Sequence, residues 1–340
     1  MTSPSIVALG GGHGLAVTLA AARQLTPDVT AIVTVADDGG SSGQIRRELD
    51  VVPPGDLRMA LAALAGSSPG HSEMATLLQH RFGGNGALAG HPVGNLLLTG
   101  LMEVFAGDCV RALDTVGGLI GAVGRVLPMS TIPLDITAWV EAVDDQDPLA
   151  RTLVRGQVAV ATSPGRVRSV QLVPAAPPAC AEALSAIGSA DIVLLGPGSW
   201  FTSVLPHLLV PDLLNALQRC SAQVIVVLNL TPQAGETDGF SPQEHLSVLR
   251  AHAPELPIGT VLADASRVVD RRGLLSAVQA LRIDGRAEPQ LLIRPVANKD
   301  SLGDQHDPRL LAEALAQAIE SALPARTIRT TRTEERPAWP

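Results

Sequence analysis

Asp37 and Asp38 stand side by side and run directly into Gly39-Gly40-Ser41-Ser42-Gly43, downstream of a second small-residue loop, Gly10-Gly11-Gly12-His13-Gly14. Adjacent carboxylates followed by small residues can accept hydrogen bonds from ribose or sugar hydroxyls, or hold a hydrated divalent ion. Asp-Gly is also a common solvated turn pair, so both uses stay open. A glycine loop that opens a helix leaves backbone N–H groups uncovered where the helix dipole favours a phosphate or carboxylate. Glycine suits such a loop because the turn can require positive φ, and because a side chain would hold a ligand off the backbone. Gly10-x-Gly12-x-Gly14 nevertheless lacks the Gly-x-Gly-x-x-Gly spacing of dinucleotide sites, and it lacks the Lys-Ser/Thr pair of a Walker loop. A tight turn with no ligand is the alternative for this loop taken alone.

Both loops sit where strands should end. Ile6-Val7-Ala8-Leu9 is a short continuous apolar run, as in a fully buried parallel strand, and Leu15, Leu19, Ala22 and Leu25 then recur at helical spacing. Residues 30–36 read as a second strand that ends at the acidic pair. The pattern returns later: residues 191–195 lead into Gly196-Pro197-Gly198-Ser199-Trp200-Phe201-Thr202-Ser203, with a helix expected over 204–210. Residues 223–228 end at Asn229, before Gly235-Glu236-Thr237-Asp238-Gly239. Ser241-Pro242-Gln243-Glu244 has the form of a helix capping box. Residues 257–262 and 290–293 supply further strands, and 308–322 a final helix with Leu310, Leu311, Leu315 and Ile319 on one face. In an open parallel sheet the strand ends lie along one edge, and ligands bind where the strand order reverses. One crevice is therefore expected to collect the loops at 10–14, 37–43, 196–203 and 229–240.

Two further polar residues lie at helix starts. Pro54 opens a helix that carries Arg58 in its first turn, placed either to clamp a phosphate or to pair with Asp56 or Asp37. Asn95 lies in the first turn of an apolar helix, where its amide can hold a ligand or the neighbouring loop. His91, without a second ligand nearby, reads as a hydrogen-bonded structural histidine. The candidate ligand-binding set is Gly11, Gly12, His13, Gly14, Asp37, Asp38, Gly39, Ser41, Ser42, Arg58, Asn95, Gly196, Pro197, Gly198, Ser199, Thr202, Ser203, Asn229, Thr237 and Asp238. Such a crevice suits a phosphorylated, hydroxyl-rich molecule: a nucleotide, a dinucleotide or a nucleotide sugar. No Ser-His-Asp set, zinc pattern or cysteine nucleophile is legible, so the reading from residues alone stops at binding.

Residues 72–82 and 93–121 read as helices around a glycine-rich turn. Alternating stretches at 134–140, 156–161 and 167–173 read as antiparallel strands with one wet face, and Asp144-Asp145-Gln146-Asp147 as a solvated turn. Composition narrows the function classes. The 340-residue chain is 46% hydrophobic and 17% charged, with a formal charge of −8, which opposes a nucleic-acid surface built from clustered Lys and Arg. With no Tyr, four Phe and three Trp it has little with which to stack bases. Cys109, Cys180 and Cys220 are odd in number and far apart, as expected of reduced, buried thiols in a cytoplasmic protein. The N-terminus has no basic region before its apolar run, so a first strand is expected there and not a signal peptide. Residues 82–102 are uncharged but too rich in Gly, Asn and Pro for a bilayer helix. From Pro324 the chain is polar and aperiodic, expected to be a flexible tail, with Thr330, Thr331 and Thr333 as candidate sites for a Ser/Thr kinase.

The combination of Gly-Gly-Gly-x-Gly-Leu, Val-Ala-Asp-Asp-Gly-Gly-Ser-Ser-Gly and Pro53-Pro54-Gly55-Asp56-Leu57-Arg58 resembles the CofD-like family, and within it the YvcK-type gluconeogenesis factors. Gly90-His91-Pro92-Val93-Gly94-Asn95, Leu195-Gly196-Pro197-Gly198-Ser199 and Gly235-Glu236-Thr237-Asp238-Gly239 agree, so the likeness spans about residues 5–320. His13 stands where most relatives are expected to carry Thr, and Gln305 stands before His306-Asp307 where a basic residue is expected. The resemblance implies an α/β fold, a Rossmann-like parallel sheet with helices on both faces. It implies one domain over 1–323, in which the residue patterns place a helical insertion at about 66–130 and a small accessory β layer at about 131–175, with a tail at 324–340. The YvcK branch implies a cytoplasmic UDP-sugar-binding regulator of cell shape and envelope synthesis during gluconeogenic growth, expected as a homodimer. The CofD branch implies the alternative: a metal-dependent 2-phospho-L-lactate transferase acting on a deazaflavin, with Asp37 or Asp38 catalytic and Mg2+ accompanying the bound nucleotide.

Overall fold

Ile6, Val7, Ala8 and Leu9 are each at most 3% exposed, because the strand they form lies inside a parallel sheet covered on both faces. The computed structural model describes residues 3–141, 143, 150–233, 235–300 and 304–322. The 144–147 turn and the 324–340 tail lie outside the described residues. In chain order the strands are β1 Ile6–Gly10, β2 Val29–Val33, β3 Arg125–Pro128, β4 Asp135–Glu141, β5 Arg151–Arg155, β6 Arg166–Val173, β7 Ile192–Leu195, β8 Gln223–Val227, β9 Ile258–Asp264 and β10 Gln290–Arg294. The helices are α1 Gly12–Ala22, α2 Gly40–Leu49, α3 Gly55–Leu64, α4 Pro69–Gln79, α5 Val93–Val104, α6 Cys109–Leu119, α7 Gln157–Ala161, α8 Ala181–Ser189, α9 Pro211–Arg219, α10 Pro242–His252, α11 Arg271–Gln279 and α12 Pro308–Ala322.

Seven strands form the main sheet in the order β10-β9-β8-β7-β1-β2-β3, and every pairing is parallel. Ile6 of β1 sits opposite Val29 on one side and Ile192 on the other, so β1 and β7 are neighbours although far apart in the chain. The winding runs outward from β1 through β2 to β3, then restarts at β7 and runs the other way. The reversal therefore falls between β1 and β7. Right-handed crossovers place the helices of the two halves on opposite faces. The packing of the crossover helices agrees, α1 lying against α3, whereas α8 lies against α9 and α10 against α11; α12, which follows the last strand and crosses to no other, lies with α1. Continuous apolar runs such as β1 and β7 are buried throughout because both faces are covered. This is the doubly wound parallel architecture expected from the sequence.

A three-stranded antiparallel sheet, β5-β4-β6, forms the accessory layer. Its boundaries differ from the expected ones at one element: residues 157–161 are helix α7, not a strand, and the edge strand is β5 just before it. Gly156 at φ +100° ends β5, and a five-residue stretch cannot separate a period of two from one of 3.6. The stretch at 93–121 is two helices. Ala106 and Gly107 take positive φ after α5, and the Asp108 side chain caps α6 by accepting from the Arg111 N–H. Residues 125–128, within the expected helical insertion, join the main sheet as β3 beside β2. The helix expected over 204–210 is instead a π turn, Trp200–Val204, followed by a 3-10 turn, Leu205–Leu209; Pro206 has no N–H to continue an α ladder.

The small residues after Asp37-Asp38 are the first turn of α2 and not an open loop. Gly43 is required there, since a Cβ would run into the Asp38 carbonyl. The Ser241 capping box is present: the Ser241 hydroxyl accepts from the Glu244 N–H and Glu244 accepts from the Ser241 N–H at 2.8 Å. All three cysteines are buried and free. Burial pushes the Cys109 thiol up to about 12 and the Cys180 thiol up to about 11. Among the described residues no helix is long and apolar enough to cross a membrane.

Candidate functional site

Because β1 and β7 are adjacent, the glycine turns that follow them face each other. A Cβ on Gly14 would stand 2.7 Å from the Gly198 Cα and from the Pro197 carbonyl carbon. The Thr18 hydroxyl ties the two loops, reaching the Gly14 carbonyl at 3.0 Å and the Gly196 carbonyl at 3.2 Å. The loop after β8 joins them through Asn229, whose Oδ1 accepts from the Gly198 N–H and whose Nδ2 donates to the Gly198 carbonyl, both at 2.9 Å. Three strand ends thus converge at the reversal point of the sheet, as the sequence led us to expect.

α1 starts in the middle of this edge. Its N-cap residue, Gly11, has no side chain with which to cap it. The Asp56 carboxylate takes the Gly12 N–H from below, and among the described residues no hydrogen bond engages the His13 and Gly14 amides. Two cavities flank this helix start, and His13 and Ala16 line both. The first, about 390 Å3, runs between Gly14, Pro197, Gly198, Asn229 and the segment carrying Gln305 and His306. His306 is 8% exposed and, among the described residues, its Nε2 has no hydrogen-bond partner. Burial lowers it to about 4, so the ring is neutral at ordinary pH. The second cavity, about 720 Å3, lies between α1, α3 and α4 and is lined by Arg58, Arg81, Thr76 and Gln79 among others.

Arg58 forms neither of the ion pairs considered from sequence. It is 4% exposed, and its Nε donates to Asn95 Oδ1 at 2.9 Å. Asn95 Nδ2 donates to the Ser41 hydroxyl at 3.0 Å, Ser41 contacts His91 Nδ1 at 2.8 Å, and His91 Nε2 contacts Gln44 Oε1 at 3.2 Å. Read in one direction, this chain makes Ser41 the donor to Nδ1 and places the His91 proton on Nε2. Asn95, Ser41 and His91 therefore hold Arg58 in place. Burial, and then the nearby Arg81 charge, lower the Arg58 guanidinium to about 10, so it stays cationic at neutral pH.

Beneath the glycine turn lie two carboxylates. Asp37 accepts from the Gly39 N–H at 2.9 Å and from Ser42, and burial raises it above the usual carboxylate range. Asp56 is pushed up to about 7, by burial first and then by the Asp37 charge. Gly11 and Gly55 are glycines for close approach: a Cβ on Gly11 would strike Asp56 and Thr34, and one on Gly55 would strike Ser42. Among the described residues no group of three or more His, Cys, Asp or Glu side chains is arranged to hold a metal. The mutually repelling Asp37 and Asp56 are a pair that a hydrated divalent ion would relieve, its other ligands being water and phosphate.

The remaining candidates are engaged elsewhere. Asp38 turns toward the accessory layer, where its Oδ1 accepts from the Val158 N–H at 3.0 Å at the start of α7. Thr202 donates to Glu236 at 2.5 Å. Thr237 accepts from the Gln233 N–H and Asp238 from the Gly235 N–H, both at 2.8 Å, shaping their own loop. Ser203 is buried beneath Gly11, Ser199 hydrogen-bonds Gln233, and Gly39 caps α2. Sequence reasoning missed Arg81, Gln233 and the role of Asp56 as a support of the Gly12 amide. For Arg81 no local pattern existed. Asp56 was quoted only within a motif and as a partner for Arg58.

The comparisons with known proteins follow the same residues. A family model described as "2-phospho-L-lactate transferase CofD" matches residues 6–298. A Mycobacterium leprae protein described as "Putative gluconeogenesis factor" is 56% identical over 312 residues, covering 92% of this chain and 85% of that one. The Halalkalibacterium halodurans "Gluconeogenesis factor" is 35% identical over 292 residues, covering 86% of this chain and 85% of that one. A crystal structure of a UPF0052 family member from Bacillus halodurans superposes with a TM-score of 0.81 at 32% identity, covering 93% of this chain and 99% of that chain. The chain therefore belongs to the CofD family, on its YvcK-type gluconeogenesis-factor branch.

Proposed function

We propose that the protein is a regulator that binds a nucleotide sugar of the UDP-sugar class across the start of α1. The observation that carries this reading is the pair of cavities meeting at His13, beside the His13 and Gly14 amides that no hydrogen bond engages among the described residues. Each cavity falls within the ~300–1,000 Å3 range of ligand pockets. The diphosphate would lie against the His13 and Gly14 amides, where the helix dipole favours negative charge. The base would enter the first cavity, whose Gln305, Asn229 and neutral His306 offer donors and acceptors. The sugar would extend into the second cavity. A hydrated Mg2+ accompanying the diphosphate would be held by Asp37 and Asp56. The relatives' descriptions as gluconeogenesis factors support a role in growth on gluconeogenic carbon, and we extend it to control of cell shape and envelope synthesis.

UDP-N-acetylglucosamine is expected to raise the melting temperature by several degrees without being consumed. At a hundredfold excess over Kd the linkage amounts to about 2.7 kcal/mol. An unchanged melting temperature across a panel of nucleotide sugars would remove the reading. A second reading, phospholactyl transfer to a deazaflavin, is favoured by one feature: Asp56 titrates near neutrality beside the helix start, as a general base must. It predicts turnover of a nucleotide-activated lactate with deazaflavin and magnesium, and loss of that turnover in Asp56→Asn.

A further inference from the structure

The cavity between α1, α3 and α4 has a charge pattern that a neutral sugar leaves unanswered. Arg58 and Arg81 both line it, and among the described residues no carboxylate does. Arg58 is 4% exposed and, among the described residues, makes no ion pair with any acid. Asp56 and Asp37 act on it only through space. Arg81 is fixed from its other side, donating to the Gly90 carbonyl at 2.7 Å. A buried guanidinium is ordinarily matched by a carboxylate, because desolvating it unpaired is unfavourable. Here a network through Asn95, Ser41 and His91 holds one guanidinium beside a second of like charge. The rest of the lining mixes small apolar residues, Ala62, Ala63 and Ala75, with Thr76 and Gln79, and none of it carries a negative charge.

We propose that this cavity is an anion subsite that takes a carboxylate carried by the sugar of the bound nucleotide sugar. The planar forks of Arg58 and Arg81 suit bidentate recognition of such a group. His13, which lines both cavities, places the subsite within reach of a ligand whose diphosphate lies at the start of α1. The inference rests on the nucleotide-sugar reading above and adds the charge of the sugar to it.

Titration calorimetry with UDP-glucuronate and UDP-glucose, which differ at one sugar carbon as carboxylate against hydroxymethyl, tests it. The wild-type protein is expected to bind the acidic sugar about 10- to 100-fold more tightly, the worth of one or two hydrogen bonds to a charged group. Arg81→Met, at an exposed position whose loss leaves the core intact, is expected to narrow that ratio to within about twofold. The melting temperature of the unliganded variant checks that it is folded. Equal affinity for the two sugars in the wild type, or a preference that survives in folded Arg81→Met, overturns the subsite alone. Absence of binding by both sugars overturns the nucleotide-sugar reading and the subsite with it.

Discussion

Asp56→Asn is expected to stabilise the protein by up to about 4 kcal/mol at pH 8 and by almost nothing at pH 4. The wild-type carboxyl has its proton held from the ordinary 3.8 up to about 7 by burial and by Asp37. Between those values the native state keeps a proton that the unfolded chain has released. The stabilisation from protonated Asp56 is therefore complete below pH ~4 and lost as the pH rises through ~7. Asparagine mimics the protonated form at every pH and can still accept from the Gly12 N–H. The comparison must be made as a difference between variant and wild type, since His207 and His306, both lowered to about 4 by burial, contribute the opposite slope in both proteins. Urea denaturation across pH 4–8 measures it. A difference that does not grow with pH contradicts the placement of Asp56 against Asp37 beneath the glycine turn.

Gly14→Val is expected to abolish nucleotide-sugar binding and to destabilise the fold by about 1–3 kcal/mol. Its Cβ would occupy the space of the Pro197 carbonyl, with the Gly198 Cα only 2.7 Å away. Both neighbours are backbone, so relief requires the loops after β1 and β7 to separate. Gly188→Ala in α8 is the control, since nothing lies within 4 Å of its added Cβ. There alanine should raise stability by about 0.5–1 kcal/mol through helix propensity. A Gly14→Val protein that binds like wild type would mean that the contact between the two glycine turns does not shape the site.

The glycines and apolar runs show what could be read from sequence, and the short helix and loop polar residues what could not. The apolar runs of β1, β7 and β8 were legible because a strand buried on both faces has no polar positions to blur the pattern. The glycine turns were legible because close backbone approach excludes every other residue type, as at Gly14 and Gly43. The short α7 was not, since Gln157 to Ala161 fits either period and its N-terminus is satisfied by Asp38, far away in the chain. Polar residues in the right loops were ambiguous for a similar reason. Thr202, Thr237 and Asp238 look like ligand contacts in sequence, yet Thr237 and Asp238 complete hydrogen bonds within their own loop and Thr202 donates across to Glu236 of that same loop. Arg81 carries no local signal, and its position beside Arg58 arises from the packing of α4 on α3.

The central claim is that turns from distant parts of the chain form one nucleotide-sugar crevice across the start of α1. Diffraction from crystals soaked in UDP-N-acetylglucosamine tests it directly. The account predicts diphosphate density against the His13 and Gly14 amides, with the base beside Gly198 and Asn229 and the sugar toward Arg58. Ligand density at any other place on the surface, with this crevice holding only solvent at saturating ligand, would contradict it.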